Sequence, residues 1–318
     1  MAKTEERLMV LDTPTLYFRA FFGVPDTIRS PDGMPVNAVR GTLDFVSHLI
    51  GTYKPDRLVA CFDADWRPAF RVEAIPSYKA HRVLEEAPAG ASGADGVDVE
   101  EVPDTLSPQV PVIEAALDAL GIARAEAPGF EADDVLATLA ERWSGHGPVD
   151  VVTMDRDLYQ LVDDTRQIRV LNIGKGVTKL EVVTDDVLRE KYGISGGEYA
   201  DFAALRGDPS DGLPGVTGIG EKTAAALISQ YRDLPGVRAA ATDPASTLKP
   251  AQRKRIAEAA GYLDAAPTVV RVVRDAPVVE HDDVLPREAK DPIMAAMLAE
   301  KFGLKTAMAR VIRVMGER

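Results

Sequence analysis

The sequence predicts an α/β fold in which a mainly parallel central sheet is flanked by helices, joined to a second region that is mainly helical. Apolar strand patterns at residues 8–11, 57–62 and 149–154 alternate with helical patterns, which is typical of a parallel sheet. From about residue 185 onward strand patterns become rare and helical patterns dominate. Both observations together predict the two regions.

The predicted elements follow one another in a regular order up to a single interruption. After the first strand we expect a helix at about 36–53 and then the second strand. A segment at about 83–108 is rich in Ala, Gly, Pro, Asp and Glu, so we expect it to be flexible. Helical patterns at 111–120 and 131–143 then lead to the third strand.

Helical patterns organise the rest of the chain. We expect helices at 201–205, 221–231, 250–263 and about 292–302, and a strand at 268–273. The predicted division is therefore a core at 1–184, a helical region at 185–290, and a C-terminal segment at 291–318 whose helix packs back on the core.

Composition limits the classes of protein that need to be considered. The 318 residues are 46% hydrophobic and 27% charged, and no apolar run approaches the roughly 20 residues of a membrane span, so we expect a cytoplasmic protein. Cys61 is the only cysteine, which excludes an internal disulfide and a cysteine-rich zinc site. The net charge of −13 disfavours indiscriminate nucleic-acid binding, but it allows a local basic groove and a carboxylate cluster neutralised by divalent cations.

Three aspartates directly follow the three predicted strands. They are Asp12, Asp63 and Asp155. Because the carboxyl ends of parallel strands open into one crevice, we expect these carboxylates to lie close together. An extended backbone beyond the third strand would point Asp157 to the same side as Asp155, so that the two could share a metal ion.

Further acids occur at the start of a predicted helix and in a later turn. Glu131 and Asp134 are three residues apart, as are Asp208 and Asp211, and Asp133 lies within the first group. Each has a structural explanation when taken alone, as a helix cap, a partner of the helix dipole or a turn residue. Carboxylates crowded together without a cation have raised pKa values, and an oxygen-only set favours Mg²⁺ or Mn²⁺.

Six short motifs in a fixed order carry a resemblance to a known family. They are Leu11-Asp12 with Tyr17-Phe-Arg-Ala-Phe-Phe22, Phe62-Asp63 with Phe70-Arg71, Tyr78-Lys-Ala-His-Arg82, Gly129-Phe-Glu-Ala-Asp-Asp-Val135, Asp155-Arg-Asp157, and Gly207-Asp-Pro-Ser-Asp211 running into Pro214-Gly-Val-Thr-Gly-Ile-Gly-Glu-Lys-Thr223. In this order they resemble the bacterial 5′→3′ exonuclease and flap endonuclease family, which also forms the N-terminal domain of type I DNA polymerases. No polymerase segment follows, so the chain is similar to a free-standing member with a PIN-like core.

The resemblance implies a structure-specific 5′ nuclease. Such an enzyme hydrolyses DNA phosphodiesters as a 5′→3′ exonuclease and 5′-flap endonuclease, in the processing of RNA primers and Okazaki fragments and in repair. It would use two or more Mg²⁺ or Mn²⁺ ions. The implied metal ligands are Asp12, Asp63, Glu131, Asp133, Asp134, Asp155, Asp157, Asp208 and Asp211, with the last three matching a second group. The implied catalytic residues are Lys79, Arg82, Asp134 and Asp155.

The resemblance also implies contacts with DNA. Lys79 and Arg82 would contact the scissile phosphate, Tyr78 would stack on a terminal base, and Arg19 and Arg71 would contact the strand. A solvated helix face and a core aromatic are the structural alternatives for the segment around Tyr78. The glycine-rich turn resembles a helix-two-turn-helix that holds duplex DNA through Gly218, Gly220, Lys222 and Thr223, with a potassium ion at the Val216–Ile219 turn. The implied partners are 5′ flaps, nicked or gapped duplexes, 5′ ends and RNA primer–DNA hybrids. The resemblance further implies a monomer that does not associate with a membrane.

Three departures from the family pattern stand out. The first turn is Thr13-Pro14-Thr15 instead of a Gly-His-Ser type, Gly212 replaces a frequent Asn, and residues 85–104 are acidic where relatives often carry a more basic arch.

Three alternative functions remain open at this stage. A phosphatase of the haloacid dehalogenase type would use Asp63 and Asp65 with Gly207-Asp208, although Arg67 stands where that class has Thr or Val. A non-catalytic binder of DNA structures would have lost its acidic set. An RNA-cleaving PIN domain is usually shorter and has no glycine turn.

Overall fold

The central feature of the fold is a six-stranded sheet. The computed structural model describes residues 5–87 and 97–318. The strand order is β5-β2-β1-β6-β7-β8, and every neighbouring pair is parallel except β7 with β8. A separate antiparallel pair joins β3 to β4. The strands are β1 Leu8–Asp12, β2 Arg57–Cys61, β3 Val83–Glu85, β4 Val99–Glu100, β5 Ala123–Ala125, β6 Val149–Thr153, β7 Ile168–Asn172 and β8 Glu181–Val183.

Helices cover both faces of the sheet and form most of the second half of the chain. They are α1 Thr13–Gly23, α2 Asn37–Tyr53, α3 Ala69–Ala74, α4 Val110–Leu120, α5 Ala132–Trp143, α6 Asp185–Tyr192, α7 Tyr199–Arg206, α8 Glu221–Tyr231, α9 Leu234–Thr242, α10 Pro250–Glu258, α11 Ala260–Val270, α12 Pro292–Lys301 and α13 Lys305–Glu317. No helix among the described residues combines the length and the apolar character needed to cross a bilayer.

Alternation along the strands divides the interior into two hydrophobic clusters. In β1, Val10 faces one cluster and Leu11 the other, as the period of two in a strand requires. The Val10 side continues without interruption through α5 into the helical region, where Leu205 and Ile228 are buried. The opposite side is covered by α2, α4 and the C-terminal helices, where Val311 of α13 is fully buried. The helical region therefore shares a core with the sheet.

Most of the elements predicted from the sequence are present in the structure. Strands β1, β2 and β6, helices α2, α4, α5, α7, α8 and α12, and the parallel arrangement are confirmed. The helix predicted at 250–263 is two helices, which meet at Ala259. Five helices and five strands were not predicted, namely α1, α3, α6, α9 and α13 and β3, β4, β5, β7 and β8.

The strand predicted at 268–273 is wrong. Residues up to Val270 complete α11, Arg271 has an extended backbone, and residues 271–273 belong to no strand. Leu263, Ala266, Val269 and Val270 are buried at helical spacing, so packing overrides the β propensity of a valine-rich run.

The segment predicted to be flexible contains local structure in its described parts. Strands β3 and β4 pair across it, and the side chain of Arg67 forms an ion pair with Asp98. The indole N–H of Trp66 donates to the Asp98 carbonyl at 2.6 Å. Residues 88–96 of the predicted flexible segment lie outside the described residues.

Candidate active site

The carboxyl ends of β1, β2 and β6 open into a cavity of about 1480 Å³. Seven of the nine predicted acids line it, which is the juxtaposition expected where parallel strands end. They are Asp12, Asp63, Glu131, Asp133, Asp155, Asp208 and Asp211.

Asp12 and Asp155 are held by the ends of adjacent strands. Asp12 ends β1 and caps α1 by accepting the Thr15 N–H at 3.1 Å. The Thr153 hydroxyl, at the end of β6, donates to Asp12 at 2.6 Å and accepts the Asp155 N–H at 2.9 Å. Burial raises the pKa of both carboxyls. Thr153 thus fixes the two acids relative to each other.

The start of α5 brings two more acids to the same place. Asp63 follows β2 and accepts the Ala132 N–H at 2.7 Å. Asp133 lies in the first turn of α5, where burial and the nearby charges of Asp155 and Asp12 raise its pKa well above the ordinary value. Burial raises the pKa of Asp63 to about 7. Crowding and burial therefore disfavour the charged forms of both carboxyls when no cation is bound.

Glu131 is held by three side chains from one segment. The guanidinium of Arg71 forms an ion pair with it, the Tyr78 hydroxyl donates at 2.8 Å, and the Lys79 ammonium donates at 2.6 Å. Its exposed fraction is only 3%. The orientation of this carboxylate is therefore fixed from several directions.

Asp134 does not line the cavity, contrary to the expectation of a ligand and catalytic role. Its side chain is fully buried, accepts from Arg71 at 2.6 Å and from the Val273 N–H at 2.8 Å, and completes a capping box with Glu131. Its position is that of a residue that orients Arg71 and Glu131. The three-residue spacing on α5 therefore does not bring both acids into the cavity.

Arg71 and Tyr78 are also placed differently from the expected DNA contacts. Their exposed fractions are 2% and 4%, and their polar ends point at Glu131. An enclosed guanidinium cannot pair with a backbone phosphate, and an enclosed ring cannot stack on a base. The structure corrects both to residues that position Glu131.

Lys79 and Arg82 line the cavity at the base of the β3–β4 segment. Burial by itself would lower the pKa of Lys79, but Glu131 and other carboxylates raise it well above the ordinary value, so the side chain stays charged. Arg82 forms an ion pair with Asp211 at 2.7 Å. Arg19 of α1 also lines the cavity.

The predicted second group is divided between two environments. Asp208 and Asp211 face the main cavity, whereas Asp157 faces a small neighbouring void. The backbone at 155–157 is not extended as predicted, because the Asp157 N–H turns back to donate to Asp155 at 2.7 Å and a short 3₁₀ helix begins there. Arg206 lies 3.3 Å from Asp157 and 3.5 Å from Asp208, and links the two acids.

The carboxylates of the described residues do not form a complete coordination shell for a metal ion. Among residues 5–87 and 97–318, no three His, Cys, Asp or Glu side chains converge on one ion position. Several acids use their oxygens to accept hydrogen bonds, and the charge of Lys79 lowers the pKa of Asp12, Asp63 and Asp133 against the effect of burial. Direct coordination of one cation by three of these side chains would therefore require side-chain rotation, whereas Mg²⁺ ordinarily binds one or two carboxylates and keeps several water ligands.

The glycine-rich turn lies beside this cavity. Gly218, Gly220 and Lys222 are exposed where the turn enters α8, and Thr223 is half-buried. Arg156 of the cavity pairs with Glu221 in the first turn of α8 at 3.5 Å. Arg255 of α10 donates to the Gly218 carbonyl at 3.3 Å.

Several residues of the site were not predicted from the sequence. Thr153 and Arg206 position acids, and Arg156 and Trp66 line the cavity. The Trp66 carbonyl also accepts from Lys79 at 3.3 Å. Thr153 and Arg206 each stand two residues before a motif aspartate, which is the only signal that could have singled them out.

Sequence comparisons decide the family. The model of the 5′-3′ exonuclease N-terminal resolvase-like domain matches residues 7–193, and that of the 5′-3′ exonuclease C-terminal SAM fold matches residues 194–292. The chain belongs to the 5′-3′ exonuclease family. It is a nuclease with a PIN-like resolvase domain followed by a SAM-like helical domain.

Two relatives that match this chain over nearly their whole length are named 5′-3′ exonucleases. One from Streptomyces coelicolor is 58% identical over 307 residues, which cover 96% of this chain and 99% of the relative. One from Mycobacterium tuberculosis is 50% identical over 315 residues and 97% of each chain. DNA polymerase I from Mycobacterium bovis is 41% identical over 239 residues, but this match covers 24% of the polymerase.

Solved structures share the fold at low sequence identity. A bacteriophage T5 protein co-crystallised with metal ions aligns over 98% of this chain and all of its own, with a TM-score of 0.63 and 16% identity. The catalytic core of Rad2 in complex with DNA substrate aligns over 98% of this chain and 93% of its own, with a TM-score of 0.57 and 16% identity. These alignments support the fold of the 5′-3′ exonuclease family protein.

Proposed function

We propose that this protein is a divalent-metal-dependent 5′ nuclease that cuts DNA both as a 5′→3′ exonuclease and as a 5′-flap endonuclease. The observation that carries the proposal is the collection of seven carboxylates with Lys79 and Arg82 around one open cavity. Membership of the 5′-3′ exonuclease family indicates phosphodiester hydrolysis, and the cavity is where we propose that the substrate and the metal ions bind. We further propose roles in primer removal and repair, on flaps, nicks, gaps and RNA primer–DNA hybrids, for the protein acting as a monomer in the cytoplasm.

The donor set suits Mg²⁺ or Mn²⁺. All cluster ligands are carboxylate oxygens, which hard divalent cations prefer, and burial of so many carboxyls raises their pKa values when no cation is bound. We propose Asp12, Asp63, Glu131, Asp133 and Asp155 as the first group of ligands and Asp208 and Asp211 as the second. Asp157 is proposed as a more distant member held by Arg206. Such ions supply an activated water and charge stabilisation for the leaving oxygen.

The chain's own residues would orient the substrate and the ligands. Lys79 and Arg82 carry positive charge into the cavity, where a phosphodiester would meet them and its developing negative charge would be stabilised. Arg71, Tyr78 and Asp134 hold Glu131 in place without reaching the substrate. Arg19 is proposed to contact the strand at the opposite side of the cavity.

The glycine-rich turn is proposed to bind the backbone of the duplex. Gly218 and Gly220 leave the backbone accessible, and Lys222 and Thr223 lie at the N-terminus of α8, where N–H groups favour phosphate. We also propose a potassium ion at the Val216–Ile219 turn, as the family resemblance implies. The proximity of Arg255 to the Gly218 carbonyl means that this ion would share the turn with a guanidinium.

The direct test uses a 5′-flap duplex labelled at its 5′ end, incubated with Mn²⁺, with Mg²⁺ or with chelator. We expect cleavage near the junction only with metal, and a loss of about 100-fold or more in kcat for Asp155→Asn, because a positioned charge is removed. Asp186→Asn is the matched control, since this acid is exposed in the first turn of α6. Metal-independent cleavage, or an unaffected Asp155→Asn variant, would contradict the proposal.

The haloacid dehalogenase alternative is not supported by the geometry. It requires Asp63 and Asp65 to act together, but Asp65 is buried and accepts the Arg67 N–H at 3.0 Å, outside the cavity lining. Hydrolysis of a small phosphate monoester in Mg²⁺ at a rate comparable with flap cleavage would revive this alternative.

A further inference from the structure

The turn that carries Asp208 and Asp211 is fastened to the segment that carries Lys79 and Arg82. The Lys79 N–H donates to the Asp211 carbonyl at 3.0 Å, and the Ser77 hydroxyl donates to the Gly212 carbonyl at 2.8 Å. Arg82 donates to the Ser210 carbonyl at 2.8 Å in addition to its ion pair with Asp211. Backbone and side-chain contacts thus join two segments separated by more than a hundred residues.

The same segment reaches the first acidic group on its other side. The side chain of Lys79 donates to Glu131 at 2.6 Å, and Tyr78 donates to Glu131 at 2.8 Å. Lys79 adopts a left-handed backbone with φ of 48°, which is uncommon for a residue with a side chain. The side chain of Lys79 therefore contacts Glu131 of the first acidic group, and its backbone contacts Asp211 of the second.

Gly212 is the point of closest approach between the two segments. A Cβ atom built on Gly212 would lie 2.1 Å from the Ser77 carbonyl oxygen, 3.1 Å from its carbon and 3.6 Å from the Lys79 nitrogen. These neighbours are backbone atoms and cannot rotate away. With φ of 72°, Gly212 also occupies a conformation that side chains rarely adopt. A side chain at this position could not fit this arrangement.

We propose that Gly212 is a positioning residue, which seats the turn 208–211 against residues 77–82 and thereby fixes the second acidic group relative to Glu131, Lys79 and Arg82. This inference rests on the proposed ligand roles of Asp208 and Asp211. It implies that residues 77–82 and the turn 208–211 move as one unit. Any displacement of one segment then changes the geometry of both acid groups.

The test compares Gly212→Ala with Gly145→Ala. Gly145 has a similar φ of 84° but no atom within 4 Å of an added Cβ, so this control carries the backbone strain without the collision. Mn²⁺ binding is measured on the protein alone by electron paramagnetic resonance, and kcat and KM are measured separately on a 5′-flap duplex. Gly145→Ala should lower the thermal midpoint by about 2–4 °C through the strain of one left-handed residue, and Gly212→Ala should lower it further because of the collision.

We expect only Gly212→Ala to weaken Mn²⁺ binding at the second acidic group, by about tenfold. It should also lower kcat by about tenfold to 100-fold with KM nearly unchanged, because displaced groups lose orientation. Ser77→Ala, which removes one hydrogen bond without a collision, should show the same pattern at about twofold to fivefold. If Gly212→Ala binds Mn²⁺ and turns over like Gly145→Ala, the inference is overturned. If Gly212→Ala fails to fold, Ser77→Ala decides, and unchanged Mn²⁺ binding in it overturns the inference.

An Asp211→Asn variant separates this outcome from a failure of the proposed ligand set. Weaker Mn²⁺ binding by Asp211→Asn, with normal binding by Gly212→Ala, leaves the ligand role standing and removes only the positioning role. Normal Mn²⁺ binding by Asp211→Asn contradicts the ligand role itself, and the positioning inference falls with it.

Discussion

Lys79 carries a positive charge that acts on several of the cluster carboxylates at once. It donates to Glu131 and lowers the pKa of several neighbouring acids against the effect of burial. In the absence of a divalent ion, this ammonium group supplies part of the charge compensation that the cluster needs. A cation that binds here therefore competes with Lys79 for the same oxygens.

Replacement of Lys79 by Met should raise metal affinity while lowering activity. Removal of a like charge favours the incoming cation by at least about 1 kcal/mol, which is roughly fivefold in Kd. Titration calorimetry with Mn²⁺ measures this change, and kcat should fall because the phosphate loses a positive partner.

Lys54→Met is the matched control for that experiment. Lys54 has a left-handed backbone with φ of 47°, like Lys79, but it is the C-cap of α2 and does not line the cavity. Equal or weaker Mn²⁺ binding by Lys79→Met, relative to this control, would contradict the role of Lys79 as an internal counter-ion.

At the scale of elements, α3 and the start of α5 are joined through a buried ion network. Arg71 of α3 pairs with Glu131, the N-cap of α5, and with Asp134 in its first turn. All three side chains are almost completely buried. The network fixes the helix whose N-terminus presents Glu131 and Asp133 to the cavity.

Arg71→Met should destabilise the protein by about 3–5 kcal/mol, because it removes the guanidinium that pairs with two buried carboxylates, Glu131 and Asp134. Urea unfolding measures the free energy of unfolding. Arg40→Met is the control, since Arg40 makes only a partly exposed pair with Asp44 at 3.9 Å and should cost less than about 1 kcal/mol. Similar losses in both variants would show that the network contributes little.

The glycine-rich turn and α8 act at the same scale. Lys222→Ala should raise KM for duplex substrates severalfold with little change in kcat, because a backbone phosphate contact supports binding and not the reaction itself. The slope of log K against log salt should become shallower by about 0.9 for one phosphate contact. Lys254→Ala is the control, since Lys254 is exposed and pairs with Glu258 on α10. An unchanged salt slope for Lys222→Ala would exclude the contact.

At the scale of the whole molecule, the acidic cluster makes stability depend on pH. Burial raises the pKa of Asp63 to about 7, of Asp157 to about 8 and of Asp211 to about 6. The folded state thus binds these protons more tightly than the unfolded chain, in which the pKa of aspartate is near 3.8. Without metal, the free energy of unfolding should therefore fall as pH rises from about 4 to about 8.

Thermal unfolding in chelator and in Mn²⁺ at pH 5, 6.5 and 8 tests this dependence. The midpoint in chelator should fall with pH, and the stabilisation by Mn²⁺ should grow with pH, since the ion competes with protons for the same carboxylates. Glu141, whose pKa is lowered by Arg166, contributes in the opposite sense, but only below its ordinary value of 4.5. A midpoint in chelator that is constant across this range would refute the account.

The sequence by itself determined those features of the site that follow from local patterns of residues. Strand patterns ending on Asp12, Asp63 and Asp155 were sufficient to predict that these acids meet, because parallel strands present their carboxyl ends at one edge. The order of the motifs was sufficient to predict the family. The helix starting at Glu131 was also predicted, since its first-turn acids are a local feature.

Only the tertiary structure decided which of these residues face the cavity. Asp134 and Asp133 are neighbours on one helix, yet Arg71 and the Val273 N–H enclose Asp134 while Asp133 opens to the cavity. Arg71 and Tyr78 look like exposed DNA contacts in a motif, but they are buried against Glu131. The fit of Gly212 against Ser77 joins segments 135 residues apart. Such contacts depend on packing between distant segments, which no local pattern of residues encodes.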